Sequence, residues 1–344
     1  MNKCLLASIT LAILVSCSES KETKLQRFLF KGNQMVEERD EIQAITYYHE
    51  ALKLDPCFAD ALNNIGTIYF RQKRFDVALQ NYEKAISCKP DYMNAYFNRA
   101  NTYYELKEYY GALKDLDKVI QAKPDTAIAY FTRGLVLTKL RDFPAALAAF
   151  DKSVLLDSKR VEHFVNRATV KFYRKDFEAA KVDLTKAKEL DAKEATIYNT
   201  ESLVEVELKN YSKAMELINK AIALAPSEPY FVNNRGFIYL SLGELENAET
   251  DINKGIGLDP YNGWAYRNKG IYYLLKNDFP AAERLLNQAL NMDPFIDKIH
   301  FYLGMAFMKN GKQSQACEQF SKSESLGDKM LTTDLIKKCK FSDR

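Results

Sequence analysis

Three histidines and one tryptophan are all that this 344-residue chain carries of those two residue types. The scarcity narrows the chemistry. His49, His163 and His300 lie far apart, and no group of cysteine and histidine has the spacing of metal ligands. No glycine-rich phosphate loop occurs among the 13 glycines. Acidic pairs are scattered along the chain in the manner of solvated helix faces, not as an acid–base couple. The expectation is a non-enzyme without a metal or other cofactor. A charge excess is missing as well: 49 basic side chains stand against 46 acidic ones, interspersed, which gives no electrostatic case for nucleic acid. The most apolar stretch, residues 5–15, is interrupted by Ser8 and Thr10. It is shorter than the roughly 20 residues that a membrane-spanning helix needs.

What the chain has is a rhythm. Alanine recurs every 34 residues at Ala44, Ala78, Ala112, Ala146, Ala180, Ala214, Ala248, Ala282 and Ala316. Twelve residues before each stands a small residue: Gly32, Gly66, Ala100, Gly134, Ala168, Ser202, Gly236, Gly270 and Gly304. Seven residues after, the position is small again except at Val119. Four residues past each alanine is a large apolar group, among them Tyr48, Tyr82, Phe150 and Phe320. Small residues at fixed offsets on two helices let their backbones approach closely. Proline follows the second helix at Pro56, Pro90, Pro124, Pro226, Pro260 and Pro294, where its missing N–H would end it.

This pattern resembles the tetratricopeptide repeat (TPR) family. The resemblance implies an all-α fold, a right-handed α-solenoid of nine 34-residue helix–turn–helix units with a C-terminal capping helix. The units are expected at 25–58, 59–92, 93–126, 127–160, 161–194, 195–228, 229–262, 263–296 and 297–330. Residues 331–344 form the cap and tail, and Met330, Leu331, Leu335 and Cys339 would cover the open end. Lys171 and Glu205 stand where the family has aromatics, and Ser158 and Ala192 where it has proline, which suggests a softer joint at the centre. His300 fills an aromatic slot and reads as structural.

Residues 1–16 have the build of a signal peptide, with Lys3 ahead of the apolar run. Leu14, Val15, Ser16 and Cys17 resemble the bacterial lipobox, which implies cleavage before Cys17 and acylation of its sulfur. Loss of Lys3 would lower the formal charge from +3 to +2. Residues 17–24 read as a polar tether to a membrane, and Ser18 after the cysteine points to the outer one. Of the remaining cysteines, Cys57, Cys88, Cys317 and Cys339 lack the spacing of a disulfide framework. They are either small buried side chains or, for Cys317 and Cys339, close enough to pair across the cap.

In the family, the first helix of each unit lines a concave groove. Two residues ahead of the small position the chain reads Asn64, Asn98, Thr132, Asn166, Thr200, Asn234, Asn268 and Tyr302. A carboxamide both donates and accepts, so such a row can bracket the backbone of an extended peptide whatever its side chains. Phe97, Phe131, Tyr104 and Arg267 lie beside the row as candidate pocket walls. Arg99, Arg167 and Arg235 each precede an aspartate by sixteen residues, at Asp115, Asp183 and Asp251, which reads as a structural ion pair. Arg133 meets Ala149 at that offset and is the arginine expected to be free. The expected function is a lipid-anchored scaffold of the bacterial cell envelope that binds extended segments of other envelope proteins, with a homodimer as a further possibility. The alternatives are a pilotin-like assembly factor working through its convex face or repeat edges, and a glycan- or peptidoglycan-binding protein that stacks sugars on Tyr230, Trp264 and Tyr104.

Overall fold

A computed structural model describes residues 19–328 and 330–340, so the signal segment and Cys17 lie outside the described residues. Among the described residues there are helices and no strand. They form consecutive hairpins: α1 (Lys21–Glu37) with α2 (Glu41–Leu54), α3 (Ala59–Arg71) with α4 (Phe75–Cys88), α5 (Met93–Glu105) with α6 (Tyr109–Ala122), and α7 (Ala127–Lys139) with α8 (Phe143–Leu156). Then come α9 (Val161–Tyr173) with α10 (Phe177–Leu190), α11 (Ala195–Glu207) with α12 (Tyr211–Leu224), and α13 (Pro229–Leu242) with α14 (Leu245–Leu258). Last are α15 (Gly263–Leu275) with α16 (Phe279–Met292), α17 (Ile299–Lys309) with α18 (Gln313–Ser325), and the single helix α19 (Thr333–Lys340). The architecture is an α-solenoid of stacked hairpins. It divides into two compact units, Met1–Leu156 and Asp157–Arg344.

The recurring alanines sit at the tightest helix contacts, and all nine are fully buried. The small residue of each first helix faces the large residue sixteen positions later. A Cβ on Gly134 would stand 2.6 Å from a Phe150 ring carbon, and one on Gly304 would stand 2.5 Å from Phe320. No hairpin covers its own apolar surface. The N-terminal core, for example, runs from Leu25 and Tyr48 of the first hairpin to Ile65 and Ile68 of the second, as nearest-neighbour stacking requires.

The turn inside each hairpin follows one plan. A residue with φ between 58° and 79° stands just past the first helix, at Arg39, Lys73, Lys107, Arg141, Lys175, Lys209, Gly243, Asn277 and Gly311 in turn. Its N–H and the next one return to the last carbonyls of the helix, as Lys107 N does to Tyr104 O and Glu108 N to Tyr103 O. Six of these nine residues are lysine or arginine. The left-handed backbone disfavours a Cβ, but a cation there faces the negative end of the helix dipole.

The second helices end on schedule with or without proline. In the fourth and fifth units, two of the three that lack it, α8 and α10 stop at Leu156 and Leu190. Asp157 and Asp191 accept hydrogen bonds from the N–H of Lys159 (3.0 Å) and Lys193 (2.8 Å), as Asp55, Asp259 and Asp293 do beside a proline. The irregular centre is not short of partners either. Lys171 reaches Asp183 at 2.7 Å, and Glu205 is held by Lys181 at 2.8 Å and by Asn210 at 2.7 Å.

Two expectations change. Lys21–Lys24, expected as tether, form the first turn of α1, capped by Ser20, whose Oγ accepts from Thr23 N. Cys57 and Cys88, expected as small buried side chains, bond each other, and Cys317 bonds Cys339 as the pairing reading had it, each with Cα atoms 5.2 Å apart. Cys57 stands just before α3 and Cys88 ends α4, so the antiparallel closing of the second hairpin brings the two, 31 residues apart, together. The second disulfide fastens α19, whose Leu335 and Cys339, with Leu331 just ahead of the helix, pack on the last core cluster, while Met330 stays 37 % exposed.

Candidate functional site

Within each unit, neighbouring first helices touch one another, whereas neighbouring second helices make no comparable contact. The first helices therefore lie on the inside of each unit's curve, and their inward side chains form the candidate binding face.

The asparagine row lies on this face, and much of it is engaged from repeat to repeat. Asn64 donates to Asn33 Oδ1 (2.9 Å), Asn98 to Asn63 Oδ1 (2.9 Å), Asn234 to Asn199 Oδ1 (2.8 Å) and Asn268 to Asn233 Oδ1 (3.0 Å). Each of the last three bonds spans 35 residues, one repeat plus one position. Asn166 instead donates to Glu162 O of its own helix at 2.8 Å. Asn64, Asn98, Asn166 and Asn234 are partly exposed, whereas Thr132 and Asn268 are buried.

The aromatic walls are half-buried. Phe97 packs on the core of the third and fourth hairpins, and Phe131 sits 5.8 Å from the Phe150 ring. Tyr104 lies 6.0 Å from Tyr109. Burial, with smaller contributions from Tyr109 and Glu105, pushes its hydroxyl up to about 12. Of the three rings suited to sugar stacking, Tyr230 is half exposed, while Tyr104 and Trp264 already pack on protein groups.

Arg267 is not an exposed groove residue; it is 4 % exposed. Its guanidinium lies between the rings of Phe237 (4.8 Å) and Trp264 (4.7 Å). Nε and Nη2 donate to Asn268 Oδ1 at 3.1 and 2.7 Å, and Nη1 donates to Asp297 O at 3.0 Å. Burial pushes this guanidinium below its ordinary value, against the pull of Tyr302, Asp297 and Glu207. Nearby, Lys298 reaches across to Glu207, 91 residues away, at 2.7 Å. Lys298 and Glu207 escape a reading by repeat register, because they meet only through the curvature of three successive repeats.

The arginine stripe is structural. Arg99, Arg167 and Arg235 each grip their aspartate with two N–H groups, at 2.7 and 2.8 Å, 2.8 and 2.6 Å, and 2.6 and 3.0 Å. Arg133 is not free: it donates to Asp117 of the preceding helix at 2.9 Å. His300 contacts Gln319 Oε1 through Nδ1 at 2.7 Å, in keeping with a structural role.

Family models described as TPR repeat match residues 66–107, and models described as tetratricopeptide repeat match 95–159, 195–228, 231–262 and 267–327. Comparison with curated proteins gives no match. Among solved structures, the APC/C hetero-tetramer Cut9-Hcn1 is similar with a TM-score of 0.62 at 17 % identity, over 93 % of this chain and 63 % of that one. Pseudomonas aeruginosa pilF gives 0.55 at 17 % identity, over 61 % of this chain and 96 % of that one. YrrB, a TPR protein with an unusual peptide-binding site, gives 0.44 at 21 % identity, over 52 % and 92 %. Likeness at these identities speaks to the fold alone.

Proposed function

The chain belongs to the tetratricopeptide repeat family, and on that premise we propose a membrane-anchored, non-catalytic scaffold of the bacterial cell envelope that binds extended segments of other envelope proteins along the inner face of its first helices. The observation that carries this reading is the state of the half-exposed asparagines. Asn98 and Asn234 give one N–H each to the preceding repeat. That bond fixes the carboxamide in place; the Asn98 amide also reaches Thr67 Oγ1 at 3.4 Å, which leaves its oxygen, and in Asn234 the oxygen and second N–H, for a peptide backbone. Each such bond contributes about 0.5–1.5 kcal/mol net, so several must act together with the aromatic walls. Two disulfides fit a chain that matures in an oxidising compartment. The lipid would sit on Cys17 and the membrane would be the outer one, the reading given by the lipobox-like segment and Ser18.

The test is in-cell crosslinking followed by pull-down, with Asn98→Ala and Asn234→Ala examined singly beside the unaltered chain. Loss of a captured envelope protein from a variant that melts normally supports the groove. Retention of every partner by both variants refutes it. Cys17→Ser should move the protein from the membrane to the soluble fraction, and continued membrane association would count against lipid anchoring.

The assembly-factor reading has an observation of its own. Ile42 (82 % exposed), Tyr110 (78 %) and Val182 (68 %) project from the second helices α2, α6 and α10. If that outer surface is the working one, Ile42→Ser with Tyr110→Ser should abolish capture while the asparagine variants retain it.

A further inference from the structure

Four first helices of the C-terminal unit, α11, α13, α15 and α17, enclose a set of polar groups whose hydrogen-bonding capacity does not balance. Arginine can only donate. The two N–H groups that Arg267 directs at Asn268 therefore require the oxygen of that carboxamide to face them. Asn268 must then turn its Nδ2 to Asn233, and it does, meeting Oδ1 at 3.0 Å. Asn233 is left with its own Nδ2 buried and without a partner. Arg267 uses three of its five N–H groups, on one amide oxygen and one backbone carbonyl, and has no carboxylate partner among the described residues. Tyr302, from α17, is close enough for Arg267 and Lys298 to pull against the rise that burial imposes on its hydroxyl. The surplus is entirely of donors, around a buried cation. The missing component is an acceptor, and its natural form is an anion.

The chain carries a stand-in for that anion. Glu207, at the end of α11, reaches Lys298 Nζ at 2.7 Å, and both side chains are largely shielded, at 27 % and 17 % exposure. The pair spans the inside of the curve, from the first of these four helices to the last. Asp297 supplies a second carboxylate 3.4 Å from Lys298 but is half exposed. Breaking a shielded pair by removing one partner is costly, whereas exchanging one carboxylate for another keeps the cation matched.

We propose that Glu207 holds the inner face of the C-terminal unit shut, and that the partner segment carries a carboxylate which replaces Glu207 on Lys298 and completes the shell of Arg267. The partner is thus an acidic extended segment, its charge supplied by an aspartate or glutamate side chain or by a chain terminus. This inference rests on the groove reading above and adds the chemistry of what enters it. Because Glu207 competes with the incoming group, affinity for the acidic segment is lower than the open site would give, by the factor that measures closure.

Trp264 makes the test direct. It is the only tryptophan in the chain, and its ring lies on Arg267, so tryptophan emission, excited beyond the absorption of tyrosine, reports this site alone. The full chain is titrated with three probe peptides: alternating glycine and glutamate with an amide cap, alternating glycine and glutamine with an amide cap, and the glutamine peptide with a free C-terminal carboxylate. Saturable change with the first probe or the third, and none with the capped glutamine peptide, is expected. The first and third probes separate a side-chain carboxylate from a terminal one. Glu207→Gln should tighten the effective probe about tenfold, a gain that misfolding cannot produce. Lys298→Met combined with Glu207→Gln, which leaves neither partner charged and alone, should bind the effective probe at least tenfold more weakly than Glu207→Gln while melting stays within a few degrees. Equal binding of the capped glutamine peptide would overturn the carboxylate inference and leave the groove reading standing. Silence toward all three probes in both the unaltered chain and Glu207→Gln would overturn this inference, leaving the groove reading to its own crosslinking test. Unchanged affinity in Glu207→Gln would overturn the closure.

Discussion

Asp183 holds two cations at once, and its removal should be the most damaging single change among the arginine–aspartate pairs. The carboxylate is 2 % exposed. It accepts from Arg167 at 2.8 and 2.6 Å and from Lys171 at 2.7 Å, and those partners are themselves only 16 % and 18 % exposed in their side chains. In Asp183→Ala both cations stay where packing puts them and lose the charge of this aspartate. Stripping one partner from a buried pair costs about 3–5 kcal/mol. The partial exposure of Arg167 and Lys171 lets water recover some of that, so the expected cost is about 3 kcal/mol. Asp251→Ala leaves one cation instead of two, and Arg235 keeps a bond to Asn219 at 2.9 Å, so about 2 kcal/mol is expected there. Asp117, 60 % exposed beside Arg133, is the control, and its loss should cost under about 1 kcal/mol. Hydrogen exchange is the assay, because a solenoid unfolds in parts and one global midpoint would mix them. Protection should fall in α9 and α10 for Asp183→Ala and in α13 and α14 for Asp251→Ala. If Asp183→Ala loses no more protection than Asp117→Ala, the ion pairs do not hold the hairpins and the argument fails.

Other outcomes follow from the turns, the disulfides and the charged centre. Lys107→Gly at its left-handed position should raise stability by about 0.5–1 kcal/mol, the relief of the Cβ outweighing the looser unfolded chain; a loss in denaturant melts would show that the lysine charge matters more. Replacing Cys57 and Cys88 by serine, or Cys317 and Cys339, should cost about 3–4 kcal/mol in a chain-entropy account of their loops, seen as increased exchange next to each bond and nowhere else. Burial raises the Glu205 carboxyl, but Lys181 and Asn210 outweigh it and hold it below its ordinary value. Its contribution is therefore present at neutral pH and lost as pH falls through the lowered folded value. In Glu205→Gln, acid melts should show that step reduced.

The hairpins, the alanine contacts, the glycine–aromatic pairs and the three arginine–aspartate grips were legible because each involves positions that recur at a constant offset. What escaped depends on groups outside that register. Arg133 finds Asp117 on the helix before it instead of a residue on the helix after it. Lys171 and Glu205 break the aromatic pattern, yet each is matched by a charge on a neighbouring helix. Helices α8 and α10 end without proline at Asp157 and Asp191, which bind the following backbone as aspartates do beside a proline elsewhere, a local effect that the search for proline does not register. Asn268 and Thr132 fall on the expected face but are buried there, since alignment with the groove does not set how deeply a side chain sits. The meeting of Lys298 with Glu207 needs the curvature of three repeats, which no pairwise offset contains.

The disulfide between Cys57 and Cys88 has a mechanical consequence. Tension on the chain ahead of Cys57 would peel α1 and α2 first, since a terminal repeat is held by one neighbour alone. At Cys57 the load passes through the sulfur bridge to Cys88, bypassing the 31-residue span between them. About 100 Å of contour, at roughly 3.3–3.6 Å per residue, is thereby withheld from extension. Unravelling halts at a covalent stop, and hairpin α3–α4 keeps its fold under a pull that would otherwise unwind it.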